Sequence, residues 1–219
     1  MRAAAARWAM VALVTTTAAC AVGKGTGSVT GNISLVGCDA DLAHYDMQPD
    51  FFSATEAHGQ LIIRIQPGGY YQEYSDSVTI AVQSYEDINA QIAAGGGSAT
   101  IPVSLERPPG SAPSVPPPPV RLTLSLRKSC GSDKLNPATD NPYVVLHAVS
   151  GTIKFTSILH GDIYSRDTNG KRIEGEFHVE LADPRTWGTE AANGQAANGH
   201  LDGTFKFFYQ RGGPAQPFP

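Results

Sequence analysis

At 219 residues and a formal charge of −4, the chain is long enough for one sizeable core or two small ones, and too acidic for non-specific binding to nucleic acid or anionic lipid headgroups. Its 23 glycines and 16 prolines, set against few helix-favouring residues, weight the composition towards β structure and turns. No stretch approaches the roughly 20 consecutive apolar residues of a bilayer-spanning helix.

The chain opens with Arg2 and Arg7 ahead of an apolar run, Trp8 to Val14, which fades through Thr15 to Thr17 into Ala18, Ala19 and Cys20. That succession is the charged start, apolar middle and small-residue exit of a secretory signal peptide. The tetrapeptide Thr17-Ala18-Ala19-Cys20 resembles the lipobox of bacterial lipoproteins, with Thr17 where leucine is commonest. The resemblance implies that residues 1–19 are removed and that Cys20 becomes the diacylated, N-acylated first residue, carrying palmitate-type chains that anchor the protein to a membrane. Ala21 stands where an aspartate often retains lipoproteins at the inner membrane, which favours the outer membrane. Ala19, Cys20 and Ala21 equally fit the small-x-small rule of an ordinary signal peptide cut after Ala21, which would leave a periplasmic or secreted soluble protein.

Loss of the leader moves the formal charge from −4 to −6, because it carries Arg2 and Arg7 and no acid. Either cleavage lipidates or discards Cys20, leaving Cys38 and Cys130 as an even pair in an oxidising compartment, where a mutual disulfide is expected.

Residues 20–28, with Gly23, Gly25 and Gly27, are expected to form a flexible tether, and residues 29–209 a single β domain. Four seven-residue segments share one pattern of apolar, polar, Gly, polar, apolar, polar, apolar: Val29 to Leu35, Val149 to Phe155, Ile173 to Val179 and Leu201 to Phe207. A period of two turns one set of side chains to a core and the other to water, as in antiparallel sheets solvated on one face. Ile173, Phe177, Val179 and Leu181 should then point in, with Glu174, Glu176, His178 and Glu180 out. Leu201, Phe205, Phe207 and Tyr209 repeat the inward set, and each unit's glycine falls on the inward face, making room for a large neighbour or a bend.

The other strands follow the same rule. Leu61, Ile63 and Ile65; Val78, Ile80 and Val82; and Val120, Leu122, Leu124 and Leu126 form inward sets, while Ile101 to Leu105 and Tyr143 to Val149 are strands with less decisive faces. Asp167 to Gly170 is expected to close a hairpin between a strand at Ile158 to Tyr164 and the Ile173 strand. One short helix is expected after Ser84, with Asp87 completing a capping box, Ile88 and Ile92 sharing a face, and Gly95 to Gly97 ending it. The segment 108–119 holds seven prolines, so it cannot pair inside a sheet and should run as an exposed polyproline loop. Two subdomains joined by it are the competing organisation, but Cys38 and Cys130 lie on opposite sides of it, which favours one domain. Residues 210–219 should form an extended tail.

Chemistry leaves few marks. His44 lies among Asp39, Asp41 and Asp46, and His58, His147, His160, His178 and His200 are scattered, without the tight spacing of zinc ligands. The run Asp167, Asn169, Gly170 lacks the twelfth-position glutamate of a calcium loop. Ser125 to Lys128 matches SxxK, but on a strand, and no GxSxG or phosphate loop occurs. Glu174, Glu176 and Glu180 could pair as glycosidase carboxylates, yet three acids on one exposed strand face more simply solvate it. Tyr70, Tyr71 and Tyr74 after the Pro67 to Gly69 turn, with Trp187, offer the one aromatic set suited to stacking on a sugar or a partner protein.

The expected fold is therefore all-β: an antiparallel β-sandwich or partly open barrel of about eight to ten strands with one short helix. The expected role is a non-enzymatic structural or interaction module of the cell envelope, without cofactor, metal or nucleic acid, meeting an envelope protein or glycan. The first rival is a ligand-binding envelope protein, carbohydrate-binding through the aromatic set, and the second a secreted enzyme without a recognisable motif.

Overall fold

The period-two segments become strands of one antiparallel sheet in the computed structural model, which describes residues 25–35, 38, 42–68, 75–105, 117–130, 144–184 and 198–210. The strands are β1 (Gly25–Ile33), β2 (Tyr45–Met47), β3 (Phe51–Ala57), β4 (Gln60–Gln66), β5 (Ser77–Val82), β6 (Ala99–Pro102), β7 (Val120–Leu126), β8 (Val144–Ser157), β9 (Arg172–Ala182) and β10 (Gly199–Phe208). Among the described residues one α-helix, α1 (Tyr85–Ala94), lies between β5 and β6. The strand order is β2-β1-β10-β9-β8-β7-β5-β4-β3, with β6 paired to the far half of β8.

The two edge strands of that order, β2 and β3, are neighbours in the chain, joined by Gln48, Pro49 and Asp50 alone. Laid flat, eight inter-strand spacings would hold them about 38 Å apart. The connection spans at most about 15 Å. The sheet must therefore roll until its edges approach, and it forms a half-barrel, the partly open barrel form of the expected all-β fold.

The rolled interior is the core. Leu61, Ile63, Ile65, Val78, Ile80, Val82, Val120, Leu122, Leu124, Leu126, Ile173, Phe177, Val179, Leu181, Leu201, Phe205 and Phe207 are buried as their alternation requires. The inward glycines seat the large rings across the ladder. Gly203 is in register with Phe177 and Gly175 with Phe205, and a Cβ on Gly175 would stand 2.9 Å from the Phe205 ring. Phe155 and Phe205 meet edge-on at 6.1 Å between ring centroids.

Three details correct the sequence reading. Gly25 to Ser28, expected in the tether, belong to β1, because Gly25 and Gly27 form a floor for Phe52 of β3; a Cβ on Gly25 would lie 2.7 Å from that ring. Ile158 to Tyr164 is not a strand: β8 itself runs to Ser157 and pairs with β9, and the connection holds a 3-10 turn at Arg166–Thr168. Ile158, Leu159 and Ile163 are all buried, so the loop adds its apolar side chains to the core instead of alternating. In the Val149 to Phe155 unit a bulge between Ala148 and Ser150 shifts the phase, leaving Val149 half-buried while Ile153 and Phe155 point in.

The helix occupies its expected place with Ile88 buried, but Ser84 makes no side-chain cap; at the other end Gly95 closes it through its N–H to Gln91 O. The β3–β4 hairpin turns on His58 and Gly59, with φ of 53° and 74°, the left-handed pair that a two-residue type I′ turn demands. Most of the proline segment and the tail beyond Gln210 lie outside the described residues. The single sheet nonetheless contains strands from both sides of the prolines.

The curl is latched by one buried acid. Asp76, just ahead of β5, accepts from Tyr45 Oη of edge strand β2 (3.3 Å), from the N–H groups of Lys128 (2.8 Å) and Ser129 (3.1 Å), and from Ser129 Oγ (2.5 Å). Burial, then the Asp76 charge, pushes the Tyr45 phenol far above its ordinary range, so it remains a donor. Asp76→Ala takes the acceptor from the buried Tyr45 hydroxyl and from the part-buried donors of Lys128 and Ser129, and a urea titration should show a loss of about 2 to 3 kcal/mol.

Candidate functional site

The residues singled out in the sequence divide sharply. Cys38 and Cys130 form the expected disulfide, with Cα atoms 4.8 Å apart and Cys130 buried in the core. Such a bond is compatible with an exported protein. Cys20, Tyr70, Tyr71, Tyr74 and Trp187 lie outside the described residues, as do Asp39 and Asp41. Among the described residues no three His, Cys, Asp or Glu side chains gather as metal ligands. Glu174 and Glu176 stand outward as expected and are engaged by Arg172 and Lys154, each at 3.1 Å. His178 Nδ1 lies 2.6 Å from Asp202 Oδ1 on the same outer face.

Two depressions lined by described residues lie on the outer face of the sheet. One is a polar groove of about 480 Å³ across β1, β10, β9 and β8, lined among others by Thr26, Ser28, Lys154, Glu176, Thr204 and Lys206. It is open, and its charges are those of a solvated strand face.

The second has a structural origin. Pairing between β7 and β8 stops at Thr123 opposite His147, then β8 bulges and its far half pairs with β6. Val103 threads the fork, bridging Val120 in parallel and donating its N–H to Gly151 O at 3.0 Å. Ser104 and Leu105 follow, and they wall a cavity of about 230 Å³ with Gln60, Ile62, Thr79, Ala81, Arg121, Thr123 and His147.

Register places these groups on one outer face. Thr79, Thr123 and His147 form a cross-strand row, and Ala81 opposite Arg121 belongs to the next row. The small Ala81 side chain leaves the space that the guanidinium borders. Arg121 Nη2 donates to Gln60 Oε1 at 2.7 Å, and its Nε is enclosed by protein. Asp183, 3 % exposed, follows β9 and takes its N–H to Asn198 Oδ1 at 2.6 Å.

His147 feels this setting. Burial first, then the Arg121 charge, hold its imidazole below the usual histidine range, while Asp183 pulls the other way. The neutral form therefore prevails at neutral pH. Because the unfolded chain binds that proton more tightly, stability from this group is complete above about pH 6.5 and falls as pH drops through the lower folded value. Thermal unfolding between about pH 7 and pH 5 should show a steeper acid loss for the native protein than for His147→Gln.

Sequence reasoning passed over Arg121, Gln60 and the fork itself. The available signal was a phase change: Val144, Leu146 and Ala148 are buried at even positions and Ile153 and Phe155 at odd ones, which requires a bulge between them. Comparison of the chain with protein-family models, curated proteins and solved structures finds no match.

Proposed function

We propose that the protein is an exported envelope lipoprotein, held to the outer membrane through Cys20, whose half-barrel is a non-enzymatic interaction module. The observation that carries the reading is the Cys38–Cys130 bond, set in the core across the proline segment, since such staples persist in oxidising compartments. Among the described residues no helix is long and apolar enough to cross a membrane. The strands are apolar inwards and carry Glu174, Glu176, His178 and Glu180 outwards, the reverse of a membrane-spanning barrel with its lipid-facing apolar band. In this reading attachment is through a lipidated Cys20, and the polar outer face is the surface offered to an envelope protein or glycan.

Radiolabelled palmitate should enter the protein in its bacterial host, and Cys20→Ala should abolish incorporation. A mature N-terminus at Val22 would refute the anchor and leave a soluble periplasmic or secreted protein.

A further inference from the structure

We propose that the polar groove across β1, β10, β9 and β8 binds a neutral saccharide, with Phe208 as the platform for a sugar ring, a step that rests on reading the outer face as an interaction surface. Its charges alone describe a solvated strand face, so the shape and the neighbours of the groove decide. β8 carries a second bulge between Phe155 and Ser157, opposite Gly175 and Glu174 of β9, and Thr156 is its extra residue. Bulges bend a strand and often adjoin binding sites. Register sets Ser28, Thr204, Glu176 and Lys154 in one outward row, and Thr26, Lys206 and Glu174 in the next. Short hydroxyl side chains thus lie beside long charged ones. Thr156 Oγ1 also lines the groove, enclosed and without a hydrogen-bond partner among the described residues. A buried hydroxyl left unpaired is costly, and an oxygen seated in the groove would supply the partner.

Phe208 stands at the end of this surface. It follows Lys206 by two residues, about 7 Å along β10 on the same face, and is 57 % exposed. A single exposed phenylalanine is ordinary. One beside hydroxyls and charges matches the two-sided chemistry of a pyranose, which has an apolar face of C–H groups and a rim of hydroxyls. The electron-rich face of the ring takes the C–H side, and apolar area leaves water on contact. Rim hydroxyls donate to Glu174 and Glu176 and accept from Lys154 and Lys206, while Ser28 and Thr204 do both. Lys154 and Glu176 make one contact with each other at 3.1 Å, which leaves the ammonium and the carboxylate further hydrogen bonds to make.

Charge and size fix the class. In the lining two lysines are balanced by two glutamates, so no net field selects an ion, and a neutral ligand fits better. A volume of about 480 Å³ falls within the roughly 300 to 1,000 Å³ of small-molecule sites. A stable protein partner covers roughly 800 Å² on each side, well beyond this groove. A short stretch of an oligosaccharide fills it.

The test is a titration of the purified protein with maltotriose, cellotriose and the β-1,4-linked trimer of N-acetylglucosamine, with glycerol as control, read by amide and phenylalanine-ring chemical shifts. Saturating shifts at Ser28, Thr204, Lys206 and the Phe208 ring are expected with at least one trisaccharide and not with glycerol. Phe208→Ala, at an exposed position, should keep the fold and weaken binding about tenfold. Should it fail to fold, Thr204→Val serves: exchanging that hydroxyl for a methyl should weaken binding, and unchanged affinity overturns the proposal. No shift with any trisaccharide, equal shifts with glycerol, or unchanged affinity in folded Phe208→Ala overturns it too. Shifts at the same residues on raising the protein concentration alone would give this face to a second copy of the chain, which also overturns it. Palmitate labelling separates the two readings. A labelled protein that binds no sugar keeps the anchor and loses this site, whereas an unlabelled protein that binds sugar keeps this site and loses the anchor.

Discussion

Phe177→Ala and Phe205→Ala should each lower the free energy of unfolding by about 3 to 5 kcal/mol in a denaturant titration. Phe177 is 0 % and Phe205 2 % exposed, so each substitution removes a full ring's contacts from water-free surroundings. The cost falls at the upper end of such changes because the site cannot collapse. Phe177 rests over Gly203 and Phe205 over Gly175, so the backbone directly beneath each ring carries no side chain to move into the space, and that backbone is fixed by ladder bonds on both sides. Glu180→Ala, on the outer face of the same strand, should change stability by less than about 0.5 kcal/mol. Near-neutral phenylalanine variants beside a costly Glu180 variant would mean that the faces are reversed.

The second large effect belongs to the disulfide. Cys38 and Cys130 are 92 residues apart, and closing a loop of that length removes unfolded-state entropy equivalent to about 4 to 5 kcal/mol at 25 °C. The bond also ties the segment ahead of β2 to the turn after β7, next to Ser129 and the Asp76 latch, so it fastens the curl on the same side. A double Cys38→Ala, Cys130→Ala variant, or the native protein under reductant, should unfold at markedly lower denaturant concentration. Identical midpoints with and without reductant would show that the staple contributes nothing.

Much of this architecture was legible in residues with a strict two-residue rhythm. Val120 to Leu126 and Ile173 to Leu181 alternate without interruption, and their burial follows the alternation residue by residue. The repeated glycine was legible too, because an inward gap between large apolar residues calls for a ring from the next strand to fill it. What escaped depends on relations between strands. The Asp76 latch joins residues 31 and 53 positions apart and has no local signature. The fork pocket depends on where β7 and β8 stop pairing and on β6 inserting beside them, a consequence of register that no single segment encodes. Gly25 and Gly27 looked like tether because their role is to lack side chains beneath Phe52, and Phe52 arrives from the opposite edge of the sheet.

That arrival is also the most direct check on the rolled sheet. Phe52 of β3 and Phe207 of β10 stand six strands apart in the pairing order, about 29 Å in a flat sheet, yet their ring centroids are 5.9 Å apart and stacked. A nuclear Overhauser experiment on protein labelled at the phenylalanine rings should give a cross-peak between these two. Intact cross-strand contacts along β10 and β4 without that cross-peak would describe an open sheet and contradict the half-barrel.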